Sequence, residues 1–131
     1  MLYDTEMREE KANPQAAAFI SRLITAVSGA HKLHLQATTY SKHVAMGALY
    51  EGLQGVADSL AEEYMGCYGF IASYPDDNTA TGTDAIAYVQ ALCEYVCSQR
   101  VVMGDDSQIQ NSIDAIVSLL NTTLYKLKVL A

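Results

Sequence analysis

Apolar residues return every three or four positions along this chain, and nowhere does the strict alternation of a strand take over. Asn13-Pro14 opens the first run, with Asn13 suited to cap a helix and Pro14 to its first position. Ile20, Ile24, Val27, His31 and His34 then mark one face, which Leu23 and Ala30 widen. The spacing predicts a helix over 14–37 and carries both histidines on its buried face. A polar break follows, Thr38-Thr39-Tyr40-Ser41, in which Thr39 or Ser41 can cap the next element. The second run places Met46, Leu49, Leu53, Val56, Leu60 and Tyr64 in one stripe, predicting a helix over 41–65 that Gly66 and Gly69 end.

Residues 67–82 hold Pro75, two glycines and the run Asp76-Asp77-Asn78-Thr79, and so read as a connection. Thr83 is placed to cap a third helix over 83–103, carrying Ile86, Val89, Leu92, Cys93 and Val96. Asp105, Asp106 or Ser107 opens a fourth over 107–129, with Ile109, Ile113, Ile116, Leu120, Thr123 and Leu127 inward. Residues 1–12 are left as a tail. The pattern predicts a single all-α domain over 1–131, an antiparallel four-helix bundle. The short first and third connections predict two helical hairpins.

Composition narrows the field of partners. At 131 residues, half of them hydrophobic, the chain can bury a sizeable core. A net charge of −7 argues against broad contact with nucleic acid or an anionic membrane surface. No apolar stretch approaches the roughly 20 residues of a membrane span, and the opening MLYDTEMREEKANP has no apolar core of a signal peptide. Cys67, Cys93 and Cys97 are odd in number and lack zinc-finger spacing, which fits a reduced, cytoplasmic setting. Cys93 and Cys97, four apart, read as core packing.

Candidate chemistry lies on the first two helices. His31, His43, Asp58 and Glu62 offer two imidazoles and two carboxylates, a set suited to iron, or zinc as its substitute, rather than to calcium or magnesium. At about 100° per residue, His43, Gly47, Glu51, Gln54, Asp58 and Glu62 share an arc beside the apolar stripe. That arc is expected to border the core. Glu51 can supplement the carboxylates, and His34 is an alternative to His31 or a hydrogen-bonding neighbour. The plain alternative is two satisfied histidines and a solvated acidic edge.

The segments His31-Lys32-Leu33-His34-Leu35, Tyr40-Ser41-Lys42-His43 and Val56-Ala57-Asp58-Ser59-Leu60-Ala61-Glu62-Glu63 resemble the Dps-type miniferritins. These are ferritin-like four-helix proteins that assemble into shells and oxidise ferrous iron. The resemblance implies a ferritin-like bundle, a homo-oligomer built on twofold interfaces, and an iron site with ferroxidase activity between two subunits. Its ligands would be His31 and His43 from one chain and Asp58 and Glu62 from its partner. Such sharing also follows from length, because His43 and Asp58 lie about 22 Å apart along one helix. Gly47 stands where the family has an aspartate, no tryptophan adjoins His31, and the tail lacks the basic residues some members use on DNA. The runs Leu49-Tyr50-Glu51-Gly52 and Asp58-Ser59-Leu60-Ala61-Glu62 are also similar to small, mostly phage-encoded ferritin-like proteins of unknown function. That similarity implies a viral origin, and then the cytoplasm of a host cell. It also leaves a second reading: a noncatalytic assembly or adaptor protein with a degenerate metal site.

Overall fold

A computed structural model describes residues 13–130. The tail expected over 1–12 lies outside the described residues. Four helices account for the architecture: α1 (Pro14–Gln36), α2 (Tyr40–Tyr68), α3 (Ala85–Gln99) and α4 (Ser107–Val129), with a short 3-10 turn, Arg100–Met103, between the last two. The described residues contain no strand. The chain is the all-α four-helix bundle that its periodicity predicts.

Local chemistry sets most of the ends. The Asn13 carboxamide accepts from the Ala16 amide at 2.8 Å, with Pro14 occupying the first turn, where its missing N–H costs nothing. The Asn13 side chain also donates to the Val102 carbonyl at 3.1 Å, tying the start of α1 to the turn before α4. Thr39, and not Ser41, caps α2. That helix runs through Gly66 and ends only at Gly69, whose φ of 110° suits a residue without Cβ. The third helix is capped by Asp84, one residue beyond Thr83, because a carboxylate accepts the free amide of Ala87 at 3.0 Å. It closes at Gln99, short of the expected 103, as the chain tightens into the 3-10 turn.

Arg100 and Gln110 hold that turn against α4. Arg100 donates to the Gln110 side-chain oxygen at 2.8 Å and carbonyl at 3.0 Å, while the Gln110 amide returns bonds to the carbonyls of Arg100 and Gly104. Asp114 completes the anchor, 2.6 Å from the guanidinium.

Side-chain pairs give the helix directions. His34 meets His43 and His31 meets Tyr50, so α1 and α2 are antiparallel. Ser112 bonds Glu63 and Gln108 reaches Cys67, which sets α4 antiparallel to α2. Phe19 stacks on Tyr95, and a Cβ on Gly29 would strike Tyr88, so α3 runs opposite to α1. It follows that α2 and α3 are parallel. The connection over 69–84 must return the length of the bundle, and it does so along α1: Phe70 and Ile71 lie beside Pro14 and Ala17, and Asp77 beside Arg22 and Thr25. One long crossover thus joins two antiparallel hairpins.

The core forms between all four helices, with Val89, Leu92 and Val96 of α3 fully buried in it. Leu49, Leu53 and Leu60 from α2 meet Ile109, Ile113, Ile116 and Leu120 from α4, all fully buried. Each such side chain contributes about 1.5–3 kcal/mol relative to exposure. On α1 the inward residues are Ala16, Phe19, Leu23, Ala26, Ala30 and Leu33, together with Ile20 of the expected face. This departs from the expected face: Ile24 is 53% exposed and His31 lies outside, because small alanines let the neighbouring helix approach along a line displaced from the larger side chains. Cys97, expected in the core with Cys93, is exposed as well, while Cys93 is half-buried and faces Asn121.

Candidate metal-binding face

The outer side of the α1–α2 hairpin gathers the sequence's candidate ligands, beginning at the turn. His34 Nδ1 lies 2.6 Å from the His43 carbonyl oxygen, and His43 Nδ1 lies 3.0 Å from the His34 carbonyl oxygen. A carbonyl can only accept, so each Nδ1 carries the proton. In a neutral ring this tautomer leaves the lone pair on Nε2, the form in which imidazole binds a metal. Their planes stack with centroids 3.8 Å apart. His31 stacks on Tyr50 at 4.2 Å, and its centroid is 6.2 Å from that of His34. Three imidazoles and a phenol thus make one continuous aromatic surface across two helices.

Gly47 lies beneath this surface. A Cβ built there would come 2.9 Å from His34 Nδ1. The His34 ring occupies the volume that any side chain at 47 would need. Absence of the aspartate expected from the family pattern is therefore coupled to the presence of His34, and one change cannot be read without the other.

The acids lie farther along α2. Glu51, Asp58 and Glu62 are exposed, and none makes an ion pair or side-chain hydrogen bond with a described residue. His43 is exposed too. The arc expected to border the core therefore faces outward, since α1 and α4 already cover the two inner sides of α2. Among the described residues, no three of His, Cys, Asp and Glu cluster closely enough to hold a metal ion within one chain. The structure brings His31, His34 and His43 together at one end of the face and leaves Asp58 and Glu62 at the other.

Two clusters escaped the sequence reading. Arg22, 6% exposed, lies between the rings of Tyr88 and Tyr95, 5.7 and 5.5 Å from their centroids, and beside Asp77 of the crossover. Its signal was a charge inside the apolar run Phe19-Ile20-Ser21-Arg22-Leu23. Tyr68 forms the second. A hydrogen bond with Asp106, followed by desolvation and the charges of Asp106, Asp105 and Cys67, pushes its hydroxyl up to about 12. Elsewhere, burial first and then Cys97 push the Cys93 thiol up, keeping it protonated and a poor ligand.

Fold and face together define an all-helical four-helix bundle with one long crossover and a histidine-rich outer hairpin. The chain belongs to the Family of unknown function (DUF5856), whose profile matches residues 34–127. That match begins at His34 and takes in all of α2, α3 and the crossover. No curated protein and no solved structure matches the chain. No helix of the described residues is long and apolar enough to cross a membrane.

Proposed function

We propose that the chain is a ferritin-like subunit that pairs with a second copy through the outer face of α1 and α2 and takes up ferrous iron between them. One observation carries this reading: nitrogen ligands and carboxylates occupy opposite ends of a single exposed face, and the carboxylates have no partner among the described residues. Laid antiparallel, two copies would set His31 and His43 of each against Asp58 and Glu62 of the other. Nitrogen donors would meet carboxylates, and the roughly 22 Å between them along α2 would be the interface's own length. Apolar residues flank the histidines, with Leu35 at 69% and Val44 at 46% exposure, as an interface between copies requires.

The donor set fits iron, with zinc as its competitor. His43 is oriented by the carbonyl of His34, the kind of support that metal-binding histidines receive from a neighbouring backbone oxygen. Glu51, exposed on the same arc, would add a carboxylate. Iron enters as cargo, and its oxidation by an external oxidant would make the assembly a ferroxidase. Three unpaired cysteines agree with a reducing, cytoplasmic setting. DNA has no part in this reading, given the net charge of −7.

Gly47 favours a second reading, a noncatalytic helical assembly in which the histidines only clasp the hairpin. Anaerobic ferrous titration of the native assembly, followed by air, separates the two. Asp58→Asn with Glu62→Gln is the informative variant, because neither residue supports the fold. Iron uptake by wild type that this variant loses supports the first reading. Equal traces, or a monomeric mass, overturn it.

A further inference from the structure

Two thiols lie side by side on the α3–α4 hairpin, away from the α1–α2 face that gathers the histidines. Cys93 and Cys97 are four positions apart on α3, which sets their Cβ atoms on one face, about 5–6 Å apart. Their sulfurs are within hydrogen-bonding reach of each other. Cys97 is exposed and Cys93 half-buried, so an ion reaches the pair from solvent with the helices as they stand. Across the hairpin, Asn121 of α4 completes the surroundings, its Oδ1 accepting from Cys93 Sγ at 3.8 Å.

Donor count and softness select the guest. Among the described residues, no third His, Cys, Asp or Glu stands close enough to share an ion with the two sulfurs. Zinc takes three or four protein ligands, so two serve it poorly. Calcium and magnesium bind through oxygen. Burial, and then Cys97, keep the Cys93 proton in place, so iron and zinc compete badly for that sulfur. What remains is a soft ion that displaces thiol protons and is content with two sulfurs. Cu(I) answers to both requirements.

We infer that Cys93 and Cys97 form a two-coordinate site for Cu(I), the copper state of a reducing compartment. The ion bonds to both sulfurs, and each sulfur that enters as a thiol releases its proton to water. S–Cu bonds replace S–H bonds with no change of oxidation state, leaving a single net negative charge on the centre. Asn121 is exposed and turns its amide, so that an N–H replaces the carbonyl oxygen beside the new Cys93 thiolate. This site needs neither a second copy nor iron, and it stands independently of the function proposed above.

Anaerobic competition for Cu(I) against the chromophoric chelator bicinchoninate tests the assignment on the full-length, fully reduced protein. Cys67→Ser removes the remaining thiol, and that variant should still take up one Cu(I) per chain. Adding Cys97→Ser, at an exposed position, spares the fold. It should weaken Cu(I) by about a hundredfold or more, because the second sulfur acts at high effective concentration. X-ray absorption on the loaded Cys67→Ser protein should show copper held by two sulfurs, at the native mass of the metal-free protein. Three results would overturn the assignment: equal affinity with and without the Cys97 thiol; one copper per two chains with a doubled mass; or histidine nitrogen in place of sulfur around the copper.

Discussion

His34 and His43 donate their Nδ1 protons to one another's backbone carbonyls, at 2.6 and 3.0 Å, across the first helical turn of the bundle. This reciprocal pair closes the α1–α2 hairpin with side chains whose positions follow a chain turn, not an apolar stripe. It also explains Gly47, whose bare Cα gives the His34 ring its place.

Gly47→Ala tests that explanation. A methyl group 2.9 Å from His34 Nδ1 must displace the ring, so the substitution should destabilise the fold by about 1–3 kcal/mol, even though alanine favours helix. His34→Ala made in the same chain opens the space, so the double variant should lose less than the two single losses added. Thermal unfolding of the four proteins closes the cycle. Strict additivity would show that the ring and the glycine are unrelated.

Exposed acids should behave differently. Asp58→Asn and Glu62→Gln remove charges that have no partner among the described residues, so chemical denaturation of the monomer should change by no more than about 0.5 kcal/mol. The same variants should lower native mass and iron uptake together if the face pairs two copies.

Tyr68 gives the alkaline end of the stability curve. Its hydroxyl titrates at about 12 in the folded chain against 10.0 for a free tyrosine, chiefly through the hydrogen bond with Asp106. A raised pKa means that the protonated form is the one the fold favours. Its contribution is therefore complete below pH 10.0 and is lost as pH climbs through about 12. Tyr68→Phe should flatten the fall in melting temperature across that window. An unchanged slope would remove Tyr68 as its source.

Gly104 should tolerate nothing larger. Its φ of 91° lies in the left-handed region, and a Cβ there would come within 2.5 Å of the Tyr68 hydroxyl. Gly104→Ala combines backbone strain with a clash, and should cost about 2 kcal/mol or more in equilibrium unfolding. Gly66→Ala, with open space around its Cβ inside α2, should instead stabilise by up to about 1 kcal/mol.

Helix count, the α2 and α4 core stripes, the cap at Asn13 and the two hairpins follow from the sequence alone, while the choice of Thr39 over Ser41 as the α2 cap does not. Each rests on local rules, either the 3.6-residue period of apolar side chains or an oxygen next to a free amide. Met46, Leu49, Leu53, Leu60 and Tyr64 are buried as their spacing requires, and so is every predicted inward residue of α4. Tertiary structure decided the rest. Ile24 and His31 face outward because alanines at 16, 26 and 30 set the line of closest helix approach, and size ranks them low in any apolar count. Arg22 is buried because a crossover distant in sequence brings Asp77 to it. Gly47, which reads in one dimension as a missing carboxylate, is in three dimensions the floor under His34. Periodicity sees which side of a helix is apolar. What lies against that side, and how near, depends on the shapes of other helices.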